Sequence, residues 1–178
     1  MITSLRFVGM LNAAVWLGAA VFCTAGAGPA LVSQDMMNLL GPKYFPYVSG
    51  AVTQMISARF FHWQLGCAII ALLHLLAEWL YLGRAPRRRW PVLLAGLLVL
   101  SLWGGFWLCP KLNQWHRIQH ALNTGSDQRA AALKAFTFWN GVLQAVNVVM
   151  IGGVVVYFWR VTHPPDELSF VSPAKFRS

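Results

Sequence analysis

Charge is scarce in this chain and negative charge is scarcer. Only 11% of residues are charged, with five Asp or Glu against 14 Lys or Arg in 178 residues. With 57% hydrophobic residues and a mean hydropathy of +0.54, this excludes a disordered chain and a typical water-soluble domain. Cysteine stops at three, so at most one disulfide can form and a disulfide scaffold is excluded. Nucleophile elbows, phosphate-binding glycine loops and metalloprotease motifs are all missing. No catalytic residue is assigned, and the expectation is a protein that is not an enzyme.

Long apolar runs take the place of those missing features. Four are read, at about residues 7–27, 60–83, 91–109 and 138–160, each close to the ~20 residues that cross a bilayer. The fold expected is an all-α, antiparallel four-helix membrane bundle with amphipathic outer loops. Residues 1–163 form the transmembrane domain, and 164–178 a polar, Pro-containing tail. The first run has Arg6 before it and Ala25-Gly26-Ala27 at its end, as a signal peptide would, but is read as the first spanning helix. Pro29 is expected to stop it and Pro110 to stop the third. Residues 31–59 read as a long loop with a short amphipathic turn broken at Gly41-Pro42. Tyr44-Phe45-Pro46-Tyr47 follows as an interfacial anchor, and residues 48–59 extend the second helix. Residues 111–123 read as an outer amphipathic piece, and Ser126 or Asp127 as the cap of a helix starting near Gln128.

The net charge of +9 would suggest nucleic acid on a soluble protein. Here the cations sit at the ends of apolar runs, where they set topology and meet anionic headgroups, so no nucleic-acid partner is expected. The densest run, RAPRRR at 84–89, marks the cytoplasmic side. Four spans then put both termini in the cytoplasm, with the protein multi-pass in a bacterial inner membrane.

The second run, residues 60–84, is the most informative. It carries His62, Gln64, His74 and Glu78 inside an apolar segment, where ionisable groups are costly and usually face a bundle interior. His74 and Glu78, four apart, share a helix face. They suit a proton relay or half of a metal site; otherwise Glu78 reaches the interface or pairs with Arg84 or Arg87, and His74 is a buried, hydrogen-bonded histidine. The fourth run carries Asn140, Gln144 and Asn147 at i, i+4 and i+7, a polar stripe expected to pack inward with Asn12 as a partner. Thiols and imidazoles at Cys23, His62, Cys67 and Cys109 suit copper or zinc, although no CxxC-like spacing joins them. His116 and His120 have chelating spacing but no carboxylate nearby, and a solvated face is expected there. No cofactor is expected, with copper or zinc as the alternative.

Several signposts occur in order: Trp16-x-Gly18, Phe22 and Pro29; then Pro110-Lys111; then Phe136-x-x-Trp139-Asn140-Gly141 and Asn147. The series resembles the bacterial domain-of-unknown-function 4149 family, described as transmembrane-protein-205-like. Members more usually carry His where Trp139 stands. The resemblance implies a four-helix membrane protein and brings no activity or catalytic residues. More distantly the pattern is similar to copper-resistance-D-like membrane proteins. The functional expectation is a non-catalytic accessory or scaffold subunit of a larger membrane complex, or a homo-oligomer, in the lipid bilayer. The alternative is a small transporter or metal-handling protein that uses the intramembrane polar face.

Overall fold

Each apolar run forms a helix, and the helices run well past the runs that nucleate them. The computed structural model describes residues 2–82, 87–121 and 124–163. The first rod is α1 (Ile2–Val21), a π-turn (Phe22–Ala27) and α2 (Gly28–Leu31). The second is α3 (Gln34–Leu82). The third is α4 (Arg89–Trp103), a π-turn (Gly104–Leu108) and α5 (Cys109–His120), and the fourth is α6 (Ser126–Thr162). All four are long and apolar enough to cross a membrane. The tail at 164–178, and Arg84 in the basic hairpin, lie outside the described residues.

Of the two prolines expected to end spans, Pro110 does not end its rod, while the first rod stops at Leu31, two residues past Pro29. Proline has no N–H, and its ring collides with the carbonyl four residues earlier. A π-turn ends just before Gly28-Pro29 and another just before Cys109-Pro110. Widening the helix there moves that carbonyl off the ring, so each rod passes its proline intact. The expected loop at 31–59 is likewise helical. Its one break is Gly41, held at φ +72, a conformation open to glycine, with Pro42 starting the next turn. α6 starts at Ser126, two residues before the expected start, and no side chain caps it.

The rods pack in chain order around a square: first on second, second on third, third on fourth, fourth on first. Leu5 meets His74, Asn12 meets Cys67 and Leu31 meets Ser49. Each step up the first rod is thus matched by a step down the second, an antiparallel pair in constant register. The core between the rods is built on Trp16, Phe61, Leu94, Leu97, Leu108 and Met150, all buried.

Aromatic and basic residues mark two levels on this bundle. At one end Trp103 stacks on Trp107, Trp107 meets Trp139 edge-on and Phe138 packs on Trp139. The Phe61–Gly104 contact sets exposed Arg59 near the Trp107 depth, and the register of the first two rods sets exposed Phe22 near Arg59. At the other, Arg160 and Arg89 lie over Trp90, with Trp79, Tyr81 and Trp159 exposed. From Trp139 to Arg160, 21 helical steps give roughly 30 Å, the thickness of a hydrocarbon core. Tyr47 stands twelve residues before Arg59, about 18 Å past the first level. Tyr44 to Tyr47 therefore lie in a helical cap past the aromatic level, not in a loop. The cap is made from the first half of α3, α5, and the start of α6.

Candidate functional site

The fourth-rod amides do not form one inward stripe. Asn147 is buried, Asn140 is half-buried, and Gln144 is exposed. Asn12 is not their partner. Its amide donates to the Cys67 carbonyl at 3.0 Å and ties the first rod to the second. Asn147 and Gln144 instead line a cavity of about 40 Å³ with Cys23, Thr24, Thr53 and Ser57, room for about three waters. Asn147 Oδ1 and the Thr24 hydroxyl are buried with no protein partner. Pro29 follows on the same rod and offers no N–H to the carbonyls of the preceding π-turn. The chamber is therefore polar but uncharged. Among the described residues no carboxylate, ammonium or imidazole lines it, so it suits water or a neutral hydrogen-bonding solute.

Two more orphaned groups lie close in depth to Asn147. Trp16 Nε1 and Gln64 Oε1 are buried without partners, and the register of the first two rods sets Trp16 opposite Gln64. Neither was among the residues chosen from the sequence as intramembrane site candidates. The available signal was Gln64 itself, a lone amide in an apolar run.

His74 and Glu78 share a face, as their spacing predicts, but they serve different neighbours. His74 Nε2 donates to the Leu5 carbonyl at 2.9 Å, leaving Nδ1 buried and unpartnered. Its ring rests on Gly9, where a Cβ would lie 2.4 Å from Nε2. Glu78 Oε2 accepts from Arg160 at 2.7 Å, across the diagonal of the bundle. The partner is therefore Arg160 and not Arg87, which is exposed, while Arg84 lies outside the described residues. Arg160 also stacks over Trp90, and its other terminal nitrogen and the Tyr157 hydroxyl are buried without protein partners. A pair at the end of the hydrocarbon neutralises Glu78 and draws the second and fourth rods together.

The metal candidates stay apart. Cys23, Cys67 and Cys109 are free, and no three His, Cys, Asp or Glu side chains gather into a metal-sized group among the described residues. His62 is exposed, with Nδ1 on the Ala58 carbonyl at 2.6 Å and its ring against Phe106. His116 and His120 do come together, with ring centroids 4.6 Å apart. The solvated face expected for them is wrong for His116, which is buried at 3% exposure. Tyr47 stacks on it, Phe136 flanks it, and its ring donates to the Pro46 carbonyl. Its Nε2 faces Gly50, where a Cβ would sit 2.5 Å away. His116 is the joint that fastens α5 to α3 and α6 in the cap.

The ordered signposts now have physical roles. Trp16 is a core residue and Phe22 lies at a membrane level, while Pro29 and Pro110 follow the π-turns. Trp139, at the position where the resembling family more usually has His, closes one side of a cage. Lys111 Nζ sits 4.4 Å from the Trp139 ring and 4.4 Å from the Trp107 ring. No curated protein and no solved structure matches the chain. A family model described as a domain of unknown function, DUF4149, matches residues 11–121 and stops before the fourth-rod signposts. That stretch is more than half of the chain, which therefore belongs to the DUF4149 family.

Proposed function

We propose that this protein is a non-catalytic accessory or scaffold subunit that docks onto a partner protein through its helical cap, in a bacterial inner membrane with both termini cytoplasmic. One observation carries the reading. Leu39, Tyr44 and Tyr47 on α3 and Leu133 on α6 are exposed, with Leu39 at 80%, on a part of the molecule that lies past the aromatic level. They lie past the depth read as hydrocarbon, and among the described residues only Tyr47 of the four has a ring partner, the His116 and His120 imidazoles. Exposed apolar residues gathered on such a surface mark protein contacts. The polar groups inside the bundle fit the same role, because the most acidic of them, Glu78, is held by Arg160 rather than by His74.

The alternative is a small transporter, or a carrier of copper or zinc; the uncharged cavity beside Asn147 favours only the first of these, for a neutral solute. Two measurements separate the readings. A photo-crosslinker at Leu39 in intact membranes should yield an adduct with a distinct protein, and one at lipid-facing Leu73 should not. Glu78→Gln should leave that adduct in place. A chain that gives only lipid adducts at Leu39 and, in liposomes, shows a proton or metal flux abolished by Glu78→Gln would reverse the assignment.

A further inference from the structure

Between the first and second rods, on the membrane-facing side, runs an open groove of about 370 Å³. Its walls are Val8, Leu11 and Val15 on α1 and Trp63 and Ile70 on α3, all exposed, and Gly66 leaves its floor without a side chain. Beneath them Asn12 donates one amide hydrogen to the Cys67 carbonyl and is the single amide among the lining residues. What remains is an apolar trough with polarity at one end. His62 lines the groove at that end, and Arg59 stands exposed one turn further toward the cap. His62 Nδ1 is occupied by the Ala58 carbonyl, so Nε2 is its free ring nitrogen.

The depth of this trough decides its occupant. Arg59 sits at the level marked by Phe22, Trp107 and Trp139, where the hydrocarbon ends, and the groove from His62 to Ile70 runs inward from there. Its apolar walls lie where acyl chains lie, and its one cation and one imidazole lie where phosphates lie. We propose that this groove is a binding site for a single phospholipid of the cap-side leaflet. One acyl chain lies along Gly66, and the phosphate accepts from Arg59, with His62 at the mouth of the groove beside it.

The driving terms follow from the surroundings. Moving a tail from bilayer to groove gains little from leaving water, since both sites are apolar, so the tail is held by close packing. The headgroup contact is charge-assisted and is the stronger where water is sparse. Anionic lipids therefore bind better than zwitterionic ones. The proposal does not depend on the docking role of the cap, which lies on a different face and at a different depth.

Gly66 makes the test clean. A Cβ built there meets nothing within 4 Å, so Gly66→Leu fills the groove without pushing on the fold. The purified protein is placed in mild detergent with phosphatidylglycerol or phosphatidylcholine, and bound lipid is counted by native mass spectrometry. The wild type should carry one lipid per chain, with phosphatidylglycerol preferred. Gly66→Leu should lower the bound fraction about tenfold at unchanged melting temperature. Arg59→Gln with His62→Gln should erase the preference between the two headgroups and keep some binding. Equal lipid retention in wild type and Gly66→Leu would overturn the proposal, as would a wild type without lipid. A wild-type dimer that Gly66→Leu splits into monomers would assign the groove to a second copy of the chain and overturn it equally.

Discussion

Three rings in this bundle are each seated on a glycine of another rod: His74 on Gly9, His116 on Gly50 and Phe61 on Gly104. Two of the three are imidazoles whose other contact is a backbone carbonyl, so the glycine sets how closely the helices approach and the ring nitrogen fixes their register. A methyl group at Gly104 would lie 2.2 Å from the Phe61 ring, which is fully buried and has nowhere to turn. Gly104→Ala should therefore cost about 1–3 kcal/mol, the range for overpacking a close-packed site. Thermal unfolding in detergent would show it. Gly141→Ala, where a Cβ meets nothing within 4 Å, should change little. Phe61→Leu added to Gly104→Ala should recover part of the loss, since the two groups are in contact. Little of this residue-level pairing was legible beforehand. His74, His116 and Glu78 stood out as polar residues in apolar or amphipathic runs, but Glu78 and Arg160 lie 82 positions apart, and no local spacing announces such a pair.

At the scale of the element, the π-turns explain why spans were legible in number and misread in length. Hydropathy along the chain finds the four segments because crossing a bilayer demands a long apolar run. Proline reads as a stop because a regular helix loses about 3 kcal/mol to it. Neither Pro29 nor Pro110 meets a regular helix, since each follows a widened turn that has already released the offending hydrogen bond. Pro29→Ala should consequently shift stability by no more than about 1 kcal/mol, far below the cost of an interior proline. Chemical denaturation would reveal a larger gain if the proline were in fact strained. The same blindness turned the cap into a loop. Its apolar residues are spent on neighbouring helices and on exposed positions such as Leu39, so the segment looks too polar to span and too irregular to be one helix.

For the whole molecule, the two aromatic levels divide the bundle unequally. Among the described residues the long helical extension lies at one end, where the second, third and fourth rods continue and the first reaches Leu31 beside Ser49. Single cysteines at Tyr47 and Arg88 should react with a membrane-impermeant maleimide from opposite sides of sealed vesicles, and Ile70→Cys should react from neither. With the basic hairpin in the cytoplasm, Arg88→Cys labels from the cytoplasmic side. Labelling of Tyr47→Cys and Arg88→Cys from the same side would dismantle the arrangement of the rods.

The absence of a hinge between cap and core has a mechanical meaning. α3 carries Tyr47, Phe61 and Glu78 on one unbroken length, so the three residues cannot move independently. Phe61, wedged against Gly104, lies partway along it and behaves as a fulcrum. A lateral push on Tyr47 therefore arrives at the far surface as an opposite swing of Glu78, loading its contact with Arg160. The two arms are nearly equal, 14 residues from Phe61 to Tyr47 and 17 from Phe61 to Glu78, so a force on the cap would reach the ion pair at the other end of the bundle without leverage either way.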